Sequence, residues 1–172
     1  MLFRSIELLI VVGIVGILSS VILGVLGSAR VKAYESRTET EFKSLAEALE
    51  LYVDDWGSYP EDVDRDIPPG LEDYLAPGDW PDAPFPESVY DWDNWSADHL
   101  SHSPHEQVVQ FSVRFCESSD GTNCNYPDAD WAEGFDPHSA AFYCIAGPCR
   151  AHSGKAISHP GLLYGRRVPR AL

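Results

Sequence analysis

The sequence predicts an α+β protein in which one long N-terminal helix packs on a small antiparallel sheet, with a loop-rich C-terminal region. Three observations predict it. Residues 8–27 form an uncharged apolar run, residues 34–53 continue that run with helical periodicity, and residues 107–116 alternate apolar and polar side chains as a strand does. A chain of 172 residues is the size of one domain around one core.

The helix comes first in the chain and carries most of the information. Leu8 to Gly27 reads LLIVVGIVGILSSVILGVLG, with no charge, no proline and only Ser19 and Ser20 polar. As a helix it is about 30 Å long, the thickness of a bilayer core. A secretory signal peptide is the competing reading, since Gly27-Ser28-Ala29 imitates a cleavage site, but such peptides have a shorter apolar run and end there. Here the helical pattern continues. Tyr34, Thr38, Phe42, Leu45, Ala46, Leu49, Tyr52 and Val53 recur at three- and four-residue steps. Arg30, Lys32, Glu35, Arg37, Glu39, Glu41, Lys43, Glu47 and Glu50 fall on the other face. One helix over about residues 6–53 accounts for both halves, and a chain this small cannot bury the all-apolar half within itself.

The charge balance separates the same two regions. The chain carries 27 acidic and 12 basic side chains, a formal net charge of −15. Residues 1–53 account for −1 of this and residues 54–172 for −14. Such a surface does not suit counterion-release binding to DNA, so no direct nucleic-acid partner is expected. With 44% hydrophobic and 12% aromatic residues, the acidic part is too rich in core formers to be a disordered tail.

After Trp56 the prolines and glycines of residues 57–86 predict loops with one short helix at Leu71–Leu75, anchored by Tyr59, Tyr74, Trp80 and Phe85. The strand at 107–116 should lay Val109, Phe111, Val113 and Phe115 on the helix face of Phe42, Leu45, Leu49 and Tyr52. Gln110, Ser112 and Arg114 would then point away. Residues 140–145 predict a second strand and Leu162–Tyr164 a third.

Two short stretches carry a resemblance. Ile6-Glu7-Leu8-Leu9-Ile10-Val11-Val12-Gly13 places a lone carboxylate at the head of the apolar run, and Trp56-Gly57-Ser58-Tyr59-Pro60 follows the end of the long helix. Together they resemble the N-terminal methylation segment and the Gly-x-Tyr-Pro turn of type IV pilins and type II secretion pseudopilins. The resemblance covers about the first 60 residues. It implies a lollipop-shaped subunit, held by a single span in a bacterial inner membrane, and recognised by a prepilin peptidase and by pilus or secretion assembly machinery. Such subunits polymerise through the helix into a helical homo-oligomer, an extracellular or periplasmic filament. Glu7 would then be the family's fifth mature position and Phe3 the first, the pair on which subunit assembly depends. The implied function is that of a structural filament subunit and not an enzyme. The alternatives are a pseudopilin of the secretion system and a single-span, membrane-anchored binding protein that does not polymerise.

The start departs from the family pattern, because no glycine precedes Phe3 and Arg4-Ser5 replace the usual residues. Met-Leu-Phe-Arg-Ser is also what GTG CTC TTC CGA TCT encodes with GTG as the start codon, a string that matches the end of a common sequencing-library adapter. Residues 1–5 are therefore read as artefactual or leader-derived, 6–28 as the transmembrane or filament-core segment, and 29–172 as the extracytoplasmic globular domain.

Four cysteines, Cys116, Cys124, Cys144 and Cys149, form two close pairs in sequence. In an exported domain they read as disulfides. Three pairings exist, and Cys116–Cys124 with Cys144–Cys149 is favoured, each closing a small loop for about 2–3 kcal/mol. Zinc is the runner-up, although the spacings are not those of zinc knuckles. His99, His102 and His105 lie at three-residue steps, but Pro104 prevents a helix from aligning them. No cofactor is expected apart from calcium, which major pseudopilins hold in C-terminal loops. Its candidate ligands are Asp120, Asn123, Asn125 and Asp128, and the acidic run Asp91-Trp92-Asp93-Asn94 is a second source of hard oxygens. No hydrolase elbow, phosphate loop, dinucleotide fingerprint or zinc-protease motif occurs. The basic tail Arg166, Arg167 and Arg170 reads as a frayed terminus.

Overall fold

The computed structural model describes residues 5–75, 80–96, 107–116, 122–132, 139–147 and 162–165. Helix α1 spans Ser5–Trp56 without interruption, 52 residues and about 78 Å at 1.5 Å per residue. It stops at Gly57, whose φ of +74° only glycine adopts freely and whose amide donates to the Val53 carbonyl at 2.8 Å. The short helix expected at Leu71–Leu75 is a single 3₁₀ turn, Glu72–Tyr74.

Four strands follow: β1 (Val89–Ser96), β2 (Gln107–Arg114), β3 (Ser139–Ala146) and β4 (Leu162–Gly165). They lie side by side in chain order. The first three pair antiparallel and β4 runs parallel to β3. The sheet is thus antiparallel except at its last strand, whose parallel pairing demands a crossover connection instead of a hairpin. Gly147, at the end of β3, passes so close to β2 that a Cβ there would fall 1.8 Å from the Gln107 carbonyl oxygen.

Strand β1 was not expected, because its sequence VYDWDNWS reads as an acidic loop. The structure pairs every one of its residues with β2, from Val89 opposite Arg114 to Ser96 opposite Gln107. Its outer edge is covered by the segment after the helix: Val63 bridges to Trp92, and the Pro60 carbonyl accepts from the Trp92 indole at 3.3 Å and the Asn94 amide at 2.7 Å. The Tyr59-Pro60 turn therefore shields an edge that would otherwise be open.

The core lies between α1 and one face of the sheet. Thr38, Phe42, Leu45, Ala48 and Leu49 are buried on the helix, and Tyr90, Trp92, Val109, Phe111, Val113 and Ala141 are buried on the strands. The Phe42 ring stands 5.4 Å from Tyr90 and 5.9 Å from Tyr143, and Trp92 is 4.8 Å from Phe111. Tyr52 is half-buried at the edge, where its ring meets Tyr74 edge-on. Phe85 extends the core downward, with Tyr34, Phe115 and Trp131 around it at 5.2–5.9 Å.

Candidate membrane and subunit interface

The lower half of α1 has no cover. From Ile6 to Val25 the described large apolar side chains, among them Ile6, Leu9, Ile17 and Val21, are 54–72% exposed, and Leu26, the last of the run, is 41% exposed. Burying each of them further is worth about 1 kcal/mol or more, so the stripe holds on the order of 15–25 kcal/mol of unrealised hydrophobic free energy. That exceeds the net stability of a typical domain, about 5–15 kcal/mol. A surface of this size must be covered by lipid or by protein. The helix is long and apolar enough to cross a membrane. Two of its hydroxyls are satisfied within the helix: Ser20 and Ser28 donate to the Ile17 and Val25 carbonyls at 2.8 and 3.1 Å, as a segment in hydrocarbon requires. Glu7, in the first turn, is exposed at the head of this surface. Phe3 lies outside the described residues.

The upper half is fixed to the domain by polar clamps as well as by the core. The Tyr90 hydroxyl donates to the Glu41 carboxylate, the Trp131 indole to Glu35 at 2.7 Å, and Arg37 to the Asp82 carbonyl at 3.2 Å. Glu35 and Glu41 are therefore half-buried and not on the solvent face, as periodicity alone suggested. Burial, reinforced by the hydrogen bond to Glu41, raises the Tyr90 phenol well above its ordinary range. These clamps hold the domain rigidly to the rod from Glu35 upward and leave everything below Arg30 free to enter another environment.

Gln110, Ser112 and Arg114 lie on the face of the sheet away from α1, and that face is closed as well. All three are buried, together with Asp91 and Asp93. Arg114 Nε donates to Asp91 at 2.6 Å and its Nη2 to Asp64 at 3.2 Å, while the Arg65 amide donates to the second Asp91 oxygen at 2.7 Å. Gln110 and Ser112 donate to Asp93 at 2.9 and 3.2 Å. The Asp91–Asn94 run is therefore not a loop of hard ligands. Its carboxylates tie β1 to β2 and to the strap at residues 60–65. Burial, with Asp93 beside it, pushes the Asp91 carboxyl up to about 6 against the pull of Arg114.

Cys116 and Cys124 form a disulfide across an isolated antiparallel bridge, in the favoured pairing. Cys144 is also disulfide-bonded; Cys149, its expected partner, lies outside the described residues. Of the calcium candidates, Asp120 lies outside them too. Asn125 donates its side-chain amide to the Pro86 carbonyl at 3.3 Å, Asn123 has a φ of +54°, and Asp128 is exposed. Among the described residues no three or more His, Cys, Asp or Glu side chains gather around a common metal position, so calcium gains no support from them. His99, His102, His105 and the basic tail are outside the described residues.

No protein-family model, curated protein or solved structure matches this chain.

Proposed function

We propose that this chain is the structural subunit of a type IV pilus-like filament. The observation that carries the reading is the division of one unbroken helix: its upper half is buried under a sheet, and its lower half exposes an uninterrupted apolar surface with a single carboxylate at the head. In the stored form the lower half crosses the inner membrane, with the disulfide-bearing domain on the oxidising side. In the assembled form the lipid is replaced by the same half-helices of neighbouring copies, which form the core of a filament with the acidic domains outside.

Glu7 gives this exchange its register. A carboxylate within an apolar helix bundle costs several kcal/mol unless a cation meets it. The α-amino group of an adjacent subunit is the cation that a head-to-tail stack of identical helices brings to that depth. The pairing is satisfied only at the correct axial offset, so it selects one packing from many that hydrophobic contact alone would permit. Prepilin peptidase and the assembly machinery supply the processing and the extraction.

The test compares the wild-type chain with Glu7→Ala, produced alongside a pilus assembly system. Both should enter the membrane in equal amounts, but material sheared from the cell surface should contain the wild type and little of the variant. Equal amounts in the sheared fraction would remove Glu7 from assembly. A wild type confined to the membrane would favour a monomeric, single-span protein.

A further inference from the structure

The two flanks of α1 are used differently. On one, Arg37 and Glu41 meet the Asp82 carbonyl and the Tyr90 hydroxyl, so this flank faces β1. The strands lie in the order β1-β2-β3-β4, which puts β4 on the opposite flank, and β4 does approach α1. At about 100° per residue, that flank carries Lys43, Glu47, Glu50 and Asp54 within about 60° of one another. Lys43 is paired with Glu39 at 2.7 Å. Above it Glu47, Glu50 and Asp54 are exposed and make no ion pair among the described residues, and no base lies between Glu47 and Trp56.

Strand β4 delivers the chain to this stripe. β1 rises along α1, since Tyr90 is bonded to Glu41 while Trp92 and Asn94 reach Pro60 beyond the helix end. β2 therefore descends, and β3 and β4 rise. Gly165, the last residue of β4, pairs with Cys144, next to Tyr143, whose ring lies 5.9 Å from Phe42. The chain thus leaves β4 near the level of Phe42, heading up toward Glu47. The segment that follows, Arg166-Arg167-Val168-Pro169-Arg170, lies outside the described residues and holds three of the seven bases beyond residue 53. We infer that it docks on the stripe of Glu47, Glu50 and Asp54 in the same chain. Charge complementarity selects this occupant, and the spacing fits it. Pro169 disfavours a helical Val168, and in an extended turn of three residues Arg167 and Arg170 share a side about 9 Å apart. Glu47 and Asp54 are about 10 Å apart along the helix, with Glu50 between them. The helix is then clamped to the sheet along both flanks, by Tyr90 and Asp82 on one and by these arginines on the other. The clamp also fixes β4, which its parallel pairing leaves without a hairpin. It lies within one chain, so it goes beyond the filament reading and holds whether or not the chain polymerises.

Two variants of the full chain, solubilised in detergent, test the contact. Arg167→Lys and Arg170→Lys each keep the charge and supply an amine, which a water-soluble carbodiimide joins to a carboxylate without a spacer. Peptides should link position 167 to Glu47 or Glu50, and position 170 to Glu50 or Asp54. The native Lys43–Glu39 link is the control for reactivity. In a mixture of unlabelled and isotope-labelled chains, every such peptide should carry one label throughout. In the chain with Arg167 and Arg170 intact, combining Glu47→Gln, Glu50→Gln and Asp54→Asn should speed trypsin cleavage after Arg167 about tenfold.

The control link without links from either new amine, or links scattered over other carboxylates, would overturn the contact, as would cleavage at an unchanged rate in the neutralised variant. Peptides that join a labelled to an unlabelled chain would overturn it in favour of a contact between copies. None of these outcomes bears on the filament reading, which Glu7→Ala tests separately.

Discussion

Arg114 and Asp91 meet at 2.6 Å, both essentially without solvent exposure, on the face of the sheet away from the helix. They stand on neighbouring strands, two residues off direct opposition, since Val89 faces Arg114 and Asp91 faces Ser112 in the register. The pair reaches diagonally across β1 and β2, and Asp64 extends it to the strap behind. It makes β1 a strand, because without the cation its two carboxylates could not be taken out of water.

Removing the cation should therefore be costly. Arg114→Met leaves Asp91 buried without its counter-charge, and a loss of about 3–5 kcal/mol is expected. Urea denaturation of the globular domain measures it as a lower midpoint at unchanged slope. A loss below about 1 kcal/mol would mean that the pair contributes no more than a surface contact.

The same pair predicts a pH dependence with a defined sign. The Asp91 carboxyl is raised from 3.8 to about 6 on folding. Between those values the folded chain holds a proton that the unfolded chain has released, so the stabilisation from this group is complete below pH 3.8 and is lost as pH rises through about 6. The melting temperature should be higher at pH 5 than at pH 7.5, and Asp91→Asn should flatten that difference. A slope of opposite sign that Asp91→Asn abolishes would mean the carboxyl is held low by Arg114 instead.

Residues 29–172 alone should form a soluble monomer that melts cooperatively, because the uncovered apolar surface ends at Leu26 and the face of Phe42, Leu45 and Leu49 is already buried by the sheet. Leu45→Asp should abolish the transition, since it places an unpaired charge in that contact. An unchanged melting curve would show that the helix–sheet interface is not the core.

In native protein all four cysteines should resist alkylation until a reductant is added, consistent with a domain on the oxidising side of the membrane. Thiols that react without reductant would contradict both the bonding and the location, and reactivity that appeared only with a chelator would point to metal.

Much of this architecture was legible in the residues. The long helix was, because an apolar run of bilayer length and an amphipathic stretch join with no proline or glycine between Ser28 and Trp56. Strand β2 was, from its strict alternation, and so was the Cys116–Cys124 bond, which closes a turn of seven residues. Strand β1 was not. Asp91 and Asp93 alternate with Tyr90 and Trp92, and local reading assigns such carboxylates to water. Their partners Arg114, Gln110 and Ser112 are 17–23 residues away in sequence, and only pairing reveals them. The roles of Glu35 and Glu41 were hidden in the same way, since Trp131 and Tyr90 come to them from distant segments. The parallel pairing of β4 depends on a crossover that no local pattern announces.

The division of α1 into a buried upper half and an uncovered lower half is the centre of this account. Helical reconstruction by electron cryomicroscopy of the sheared filaments tests it most directly. The account predicts a core of parallel helices formed by residues 6–28, with the Glu7 carboxylate beside the N terminus of a neighbouring subunit and the sheet domains outside. A fibre held together by its sheets with the apolar half-helices splayed outward, or a chain that stays monomeric in the membrane and yields no filament, would contradict it.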